Sequence, residues 1–493
     1  MTVGLSLGIV VGYLLFALAV GLVAYRVSES TAEDYYLASR SIGTVVLLFT
    51  TFATLLSAFT FFGGPNLAFA AGPEWLIVMG TLDGVLFAVL WYGIGYKQWL
   101  IGERHGYVTL GEMLGDRFGS VGLRALVAGV SLLWLFPYVM LQQMGAGEAL
   151  VGLTGGTVPY WGGAALVTVF MILYVVLAGM RGVAWTDTVQ GLFMLSVVWI
   201  AAIWVVSAVG GIGAATGAMV EARPEFGSFG GGVYTPGFII STAITIAFGV
   251  TMFPQINQRF FVAESDVVLK RSFALWPVLV LLLFLPAFML GAWAVGMPVE
   301  VPEGANVLPV VLAEYTPTWF AALVVAGAMA AMMSSSDSML LSGSSYFTRD
   351  VYRPLVGTAS ERREAWVARV GVAVFATLAF VASLFRPGTL IEVGDTAFSG
   401  FALLALPVIC ALYWDRTTRT GMVVGVAVPQ AVYLLVVLSS VIPFVPTLPA
   451  TLAGGWDVAL GLMVLSAVLT VGVSLVTTPT ADGDASRFAV AGD

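Results

Sequence analysis

Apolar residues run along this chain in blocks long enough to cross a membrane. Windows of ~20 residues, the length that spans the hydrocarbon core as a helix, fall at about 4–25, 43–72, 74–97, 121–151, 159–180, 184–209, 236–257, 272–297, 317–346, 366–386, 390–414, 420–443 and 453–476. They predict an all-α polytopic membrane protein of about 13 transmembrane helices, numbered here as spans 1 to 13. Three windows depart from uniform apolarity. Those at 43–72 and 236–257 are interrupted by helix breakers, and 317–346 turns polar midway.

The ninth window runs apolar and small from Ala321, then reads Ser334-Ser335-Ser336-Asp337-Ser338 before leaving through Arg349 and Arg353. A carboxylate at that depth costs ~2.5–3.5 kcal/mol on insertion scales, so Asp337 calls for a purpose. Ala331, Ser334, Ser335, Ser338 and Ser342 fall on one helical face. That face offers oxygens suited to a hard cation such as sodium. Small residues also serve contacts between membrane helices, which explains the serines and leaves Asp337 unexplained.

Span 2 carries Gly63, Gly64 and Pro65 at mid-membrane, and span 7 carries Gly249 and Pro254, with Gln255, Asn257 and Gln258 beyond. Proline removes a backbone donor and clashes with the preceding turn. Freed backbone groups at that depth are tolerated only inside protein or beside an aqueous cavity. Either proline alone reads as a packing kink. Together they read differently, because spans five apart enter the membrane in opposite directions. Each would open a five-span unit, 2–6 and 7–11, related by inversion. Broken helices at matching places in inverted halves point to a secondary transporter with its site at the midplane.

Composition narrows the class. The 493 residues are 59% hydrophobic and 10% charged, against roughly 25% charged in soluble proteins. No basic n-region with a cleavage site opens the chain, so the first window reads as a span. The single cysteine, Cys410, excludes an internal disulfide, and the single histidine, His105, excludes His-rich metal chemistry. With the N-terminus outside, eighteen of the twenty basic residues lie at cytoplasmic segments or adjoining helix ends, leaving Arg223 and Arg386 outside. That split predicts a multi-pass protein of the plasma membrane, N-terminus out and C-terminus cytoplasmic. Residues 1–476 read as a single transmembrane transporter domain with core repeats at about 43–209 and 236–414. Residues 477–493 read as a disordered cytoplasmic tail. The Gly-rich external connection 210–235 reads as a flexible loop, and Leu110–Arg117 as a short amphipathic helix capped by Thr109 with Glu112 three residues on.

Six segments stand out in order: EDYYLASRSIG (Glu33–Gly43), LSAFTFFGGPNLAFAAG (Leu56–Gly72), YVTLGEMLGDRFGS (Tyr107–Ser120), LAGMRGVAWTDTVQG (Leu177–Gly191), PQINQRFFVAES (Pro254–Ser265) and AAMMSSSDSMLLSGSSYFTRDVY (Ala330–Tyr352). Together they resemble the sodium:solute symporter family, which holds bacterial proline, pantothenate and galactose symporters. The resemblance implies a LeuT-type 5+5 inverted repeat and sodium-driven uptake by alternating access. It implies a sodium site made by the carbonyls of Ala53, Leu56 and Ala331 with the hydroxyls of Ser334 and Ser335. Asp187, starting span 6, matches a family aspartate on the ion path. A helix N-cap or an interfacial carboxylate is its plainer reading. Asp337 joins it as an ion-path candidate. One departure is Ala178-Gly179, where the family has Gly-Gly before the turn between spans 5 and 6.

The resemblance also places the solute beside the break in span 2. Phe59 and Thr60 stand where sugar symporters carry polar sugar-binding side chains, which argues against a sugar. The run SAFTFFGGPNLAF looks closer to the pantothenate and monocarboxylate branch. The expected solute is a small organic anion near Thr60, Gly63, Gly64 and Asn66, with Gln142, Gln143 and Gln255 as polar contributors. The glutamines read equally well as interhelical hydrogen-bond donors.

The nearest rival is a proton-coupled symporter on the same fold, using Asp337, Glu392 or Asp395. The last two read as hydrated carboxylates at the outer end of span 11. Adjacent hydroxyls and carbonyls suit a metal cation better than a proton. An enzyme would need a nucleophile with its base, a metal cluster or a cofactor motif, and the chain offers none. A channel would more often show repeated pore loops. Membrane lipid and one small solute are the expected partners, with co-transported sodium, no organic cofactor, no nucleic acid and no obligate protein partner.

Overall fold

The computed structural model describes residues 2–26, 36–302, 305–357, 360–442, 446–478 and 488. Each of the thirteen windows is helical. Among the described residues, ten single helices are long and apolar enough to cross a membrane, from Val3–Val23 to Val458–Val476. Two more spans are bent pairs: Thr44–Leu55 with Phe59–Ala71 at 64°, and Pro236–Thr251 with Pro254–Phe261 at 54°. The remaining window is the shorter apolar helix Tyr160–Val176. The bent pairs are spans 2 and 7, the first members of the two five-span units.

The break in span 7 falls where its proline requires. Proline pushes the residue before it out of the helical region, and Phe253 is extended at φ −58°, ψ 131°. The Asn257 amide then covers the exposed helix end, donating to the carbonyls of Thr251 (3.0 Å) and Phe253 (2.8 Å). Span 2 corrects the sequence reading. Its break lies at Leu56-Ser57, several residues before Gly63-Gly64-Pro65, with Leu56 extended at ψ 123°. Residues Phe59–Gly63 form a wider π turn, in which the Gly64 amide reaches the Phe59 carbonyl. That turn lets the chain pass Pro65, which lacks an amide to donate, without a second break. Gly64 and Pro65 serve packing instead. A methyl on Gly64 would strike Phe288 of span 8 (Asp266–Gly296), and one on Gly291 would strike the Pro65 backbone.

Two further expectations change. Spans 5 and 6 are joined without leaving helical hydrogen bonding, from Tyr160 to Ala208. The Tyr174 hydroxyl nevertheless donates to the Gly182 carbonyl at 3.0 Å. Eight residues of straight helix would separate these positions by ~12 Å, so the chain folds back here. The external connection 210–235 contains a helix, Ile212–Ala222, whose Ala215 and Met219 are buried. Ala, Met and Glu favour helix, and the turn at Gly296 packs tightly against its Ala218 backbone. The C-terminal tail lies largely outside the described residues. Its Phe488, however, is buried, with its ring centre 4.8 Å from the Arg117 guanidinium carbon. The Leu110–Arg117 helix forms as read, with Thr109 accepting from the Glu112 amide.

Span 9 (Thr318–Val356) is the buried centre, packed against spans 1, 2, 4, 5 and 6. From Val324 to Tyr346 every one of its side chains is buried. Its polar face therefore has only protein to meet.

Candidate functional site

A helix end leaves its last carbonyls without amide partners, and the break in span 2 creates such an end inside the membrane. The Ala58 amide, which a continuous helix would direct to the Thr54 carbonyl, is taken instead by the Gln142 side chain of span 4 (2.9 Å). Span 9 fills the gap. Ser334 Oγ donates to the carbonyls of Ala53 (2.6 Å) and Ala331 (3.0 Å). Ser335 Oγ donates to the carbonyl of Thr54 (2.9 Å) and also to that of Leu56. The structure thus brings Ala53, Leu56, Ala331, Ser334 and Ser335 together, all at most 2% exposed. Three carbonyls and two hydroxyls form a donor set of the kind a hard cation takes.

One turn along span 9, Ser338 belongs to a second cluster. Its hydroxyl lies 2.9 Å from Thr54 Oγ1 of span 2. Asp187 accepts from Thr50 (2.7 Å) and Thr54 (3.4 Å), and pairs with Arg259 at 3.2 Å, each charged side chain 1% exposed. Asp187 is therefore neither an N-cap nor an interfacial group. It lies within the helix Met180–Ala208, facing span 2. Asp337 is buried with Oδ1 unpartnered.

Beyond the break, Phe59 meets Phe398 of span 11 edge-on at 5.1 Å and Trp75 at 6.2 Å. Tyr138 of span 4 and Phe253, at the break in span 7, complete the group, 5.1 Å apart and within 5.6 Å of Phe398. The Tyr138 hydroxyl donates to Ser57 Oγ at 3.1 Å. Thr60 is buried on the same turn, and Gln255, at the start of the second half of span 7, is buried with both amide atoms unpartnered.

Other candidates point elsewhere. A methyl on Gly63 would meet Ile391 of span 11 at 3.0 Å, so that glycine serves close packing, as Gly64 does. Gln143 donates to the Ala376 carbonyl of span 10 at 2.9 Å, the interhelical alternative. Asn66 bonds the Asn306 side chain (2.7 Å) and the Val307 amide (2.9 Å), and Asn306 continues to Glu148 (3.3 Å). Glu148 pairs with Arg386 at 3.3 Å, so Asn66 belongs to a polar closure at one membrane face. At the other face Glu112 holds Arg349 (2.6 Å) and Arg124 (3.0 Å), and Arg124 holds Asp350 (2.8 Å). Glu392 is exposed in a capping box with Thr389. Asp395 is less hydrated than its position suggested, with Oδ1 buried and unpartnered.

Sequence reasoning missed Arg259, Thr50, Thr54, Tyr138, Phe253 and Phe398. By sequence Arg259 reads as one of the cytoplasmic cations. The signal lay in its place, five residues past Pro254 on the broken span. Asp83 of span 3 was also missed, fully buried with both carboxylate oxygens unpartnered.

The chain is 28% identical over 456 residues to the sodium/pantothenate symporter of Escherichia coli (strain K12), covering 90% of this chain and 93% of that protein. It is 26% identical to the sodium/proline symporter of the same organism, covering 84% of each. Its fold matches a sodium-coupled sialic acid symporter in a substrate-bound outward-open state, with a TM-score of 0.77 at 21% identity, over 96% of this chain and 98% of that one. The sodium:solute symporter profile matches residues 35–428, so this protein, a multi-pass transporter on the inverted-repeat fold, belongs to the sodium:solute symporter family.

Proposed function

We propose that this transporter carries a small organic anion, such as pantothenate or a monocarboxylate, inward together with sodium bound between spans 2 and 9. The observation that supports the ion site is the convergence of the Ser334 and Ser335 hydroxyls on carbonyls freed at the break in span 2. Sodium entering there replaces those hydrogen bonds with oxygen coordination by Ala53, Leu56, Ala331, Ser334 and Ser335. It ties the first half of span 2 to span 9. Asp187 and Asp337 lie on its way out.

The solute takes the region of Phe59, Thr60 and Gln255, where the second halves of spans 2 and 7 begin. Helix amino ends favour an anionic group, and the aromatic rings suit its apolar body. The likeness to pantothenate symporters over most of the chain supports the anion reading. In the cycle, sodium stabilises a form open to the outside, the solute binds, and separation of span 9 from span 2 releases both inside. Linkage requires the solute to tighten sodium by the factor with which sodium tightens the solute. The domain is residues 1–476, set in the plasma membrane with the N-terminus outside and the C-terminus in the cytoplasm.

Uptake by proteoliposomes of radiolabelled pantothenate, acetate, pyruvate, lactate, proline and glucose tests this, with a sodium gradient or a proton gradient alone. Sodium-dependent accumulation of one organic acid is the expected result. Accumulation of proline or glucose alone would overturn the anion assignment. Uptake under a proton gradient alone would favour the second reading, proton coupling, which has its own support in the unpartnered buried carboxylates Asp83 and Asp395.

A further inference from the structure

The Asp187–Arg259 pair lies next to the five-oxygen site and shares residues with it. Thr54 gives its carbonyl to Ser335 and its hydroxyl proton to Asp187, and its hydroxyl oxygen lies 2.9 Å from that of Ser338. Arg259 Nη2 meets three oxygens of this cluster, Ser338 Oγ at 2.5 Å, Thr50 Oγ1 at 3.2 Å and Asp187 Oδ2 at 3.2 Å. Those oxygens belong to spans 9, 2 and 6, and Arg259 comes from the second half of span 7. One guanidinium therefore joins the elements whose relative movement opens the site. Ser338 stands four residues from Ser334, ~6 Å along the helix. A cation in the five-oxygen site and the guanidinium would face each other at about that spacing, inside protein, where screening by salt is weak.

We propose that Arg259 is a tethered cation, held on Asp187 beside the five-oxygen site, which sets how tightly the transported sodium is held there. The proposal rests on the sodium reading above. Arg259 repels the arriving ion, and Asp187 offsets that repulsion. Arg259 is a positioning residue: it acts on the ion through charge, without touching it. Its contact with Ser338 also joins span 9 to the second half of span 7.

The test is equilibrium binding of radioactive sodium to the purified full-length protein, which needs no knowledge of the solute. Asp187→Asn leaves the guanidinium unbalanced and is expected to weaken sodium binding about tenfold. Adding Arg259→Gln removes the repelling charge, and the double variant is expected to return to within about threefold of the unaltered protein. This pair of variants leaves no unpaired buried charge in the double, so folding is protected where Arg259→Gln alone fails. Arg259→Lys keeps the charge and is expected to bind sodium nearly as the unaltered protein does. A double variant as weak as Asp187→Asn would overturn the proposal, because Asp187 would then act by touching sodium itself. Asp187→Asn binding with unaltered affinity would overturn it too. Ser335→Ala, measured alongside, separates the two levels. If it binds sodium normally, the five-oxygen site fails and the proposal with it. If it binds weakly while the charge variants do not shift, the site stands and only the role of Arg259 fails.

Discussion

The Ser334 hydroxyl donates to the Ala53 carbonyl across 2.6 Å, joining residues 281 positions apart in the chain. Two features explain it: a helix end with carbonyls to spare, and a buried helix face with hydroxyls to spare. A ligand that binds the folded state alone raises its stability by roughly 2.7 kcal/mol at a hundred times its dissociation constant. Replacing choline chloride by sodium chloride at constant ionic strength is therefore expected to raise the melting temperature in detergent. Ser335→Ala should remove most of that rise while melting normally in choline. An equal rise in the variant would place the ion elsewhere.

Gln142 holds the break open by taking the Ala58 amide. Gln142→Leu leaves a buried amide without its acceptor, a loss of about 1–3 kcal/mol. Straightening span 2 returns that amide to the Thr54 carbonyl only at the expense of the ion site. The expected outcome is a less stable protein with a raised sodium requirement. A variant with unchanged sodium binding would mean that the break persists without Gln142.

Glu112 is a helix-cap partner and the acceptor for two arginines at once, bonding the Val108 amide at 2.9 Å besides Arg124 and Arg349. Glu112→Gln keeps the shape and removes the charge. Each hydrogen bond to a charged group is worth about 1.5–3 kcal/mol, so destabilisation of about 2 kcal/mol is expected in denaturant unfolding. It should be accompanied by faster protease cleavage in the segment around Leu110–Arg117.

Asp457 caps the last span, accepting from the Ala459 amide at 2.7 Å. Burial pushes its carboxyl above the usual range, partly opposed by that bond and by Ser399. A carboxyl whose folded pKa exceeds its unfolded value favours folding at low pH, and that contribution is lost as pH rises through the folded value. Asn caps a helix as well as Asp does. Asp457→Asn should therefore melt above the unaltered protein at pH 7, with the gap closing below about pH 4, where the free carboxyl is protonated anyway. A gap that widens on acidification would reverse the sign.

The helical windows and the break at Pro254 were legible because each follows from local chemistry: length of apolar run, and a ring that excludes the helical conformation before it. The break in span 2 was read too far along the chain. Gly63, Gly64 and Pro65 look like the interruption, yet Gln142 and Ser335 set it from 84 and 279 residues away. Ala53, Leu56, Ser334 and Ser335 could be named because a family pattern carries that distant pairing in its motifs. Arg259 could not, since its partner Asp187 stands 72 positions earlier and a cation near a predicted helix end reads as cytoplasmic. The helix Ile212–Ala222 was hidden by the glycines on either side of an alanine-rich run.

The most direct measurement is the sodium dependence of uptake in proteoliposomes holding the unaltered protein, Ser334→Ala or Ser335→Ala, with the organic acid that the panel identifies. Sodium bound between spans 2 and 9 predicts that each serine variant needs at least about tenfold more sodium for half-maximal uptake, the loss of roughly one hydrogen-bond-sized ligand contact, while folding normally. Half-maximal uptake at the same sodium concentration in all three proteins would contradict it.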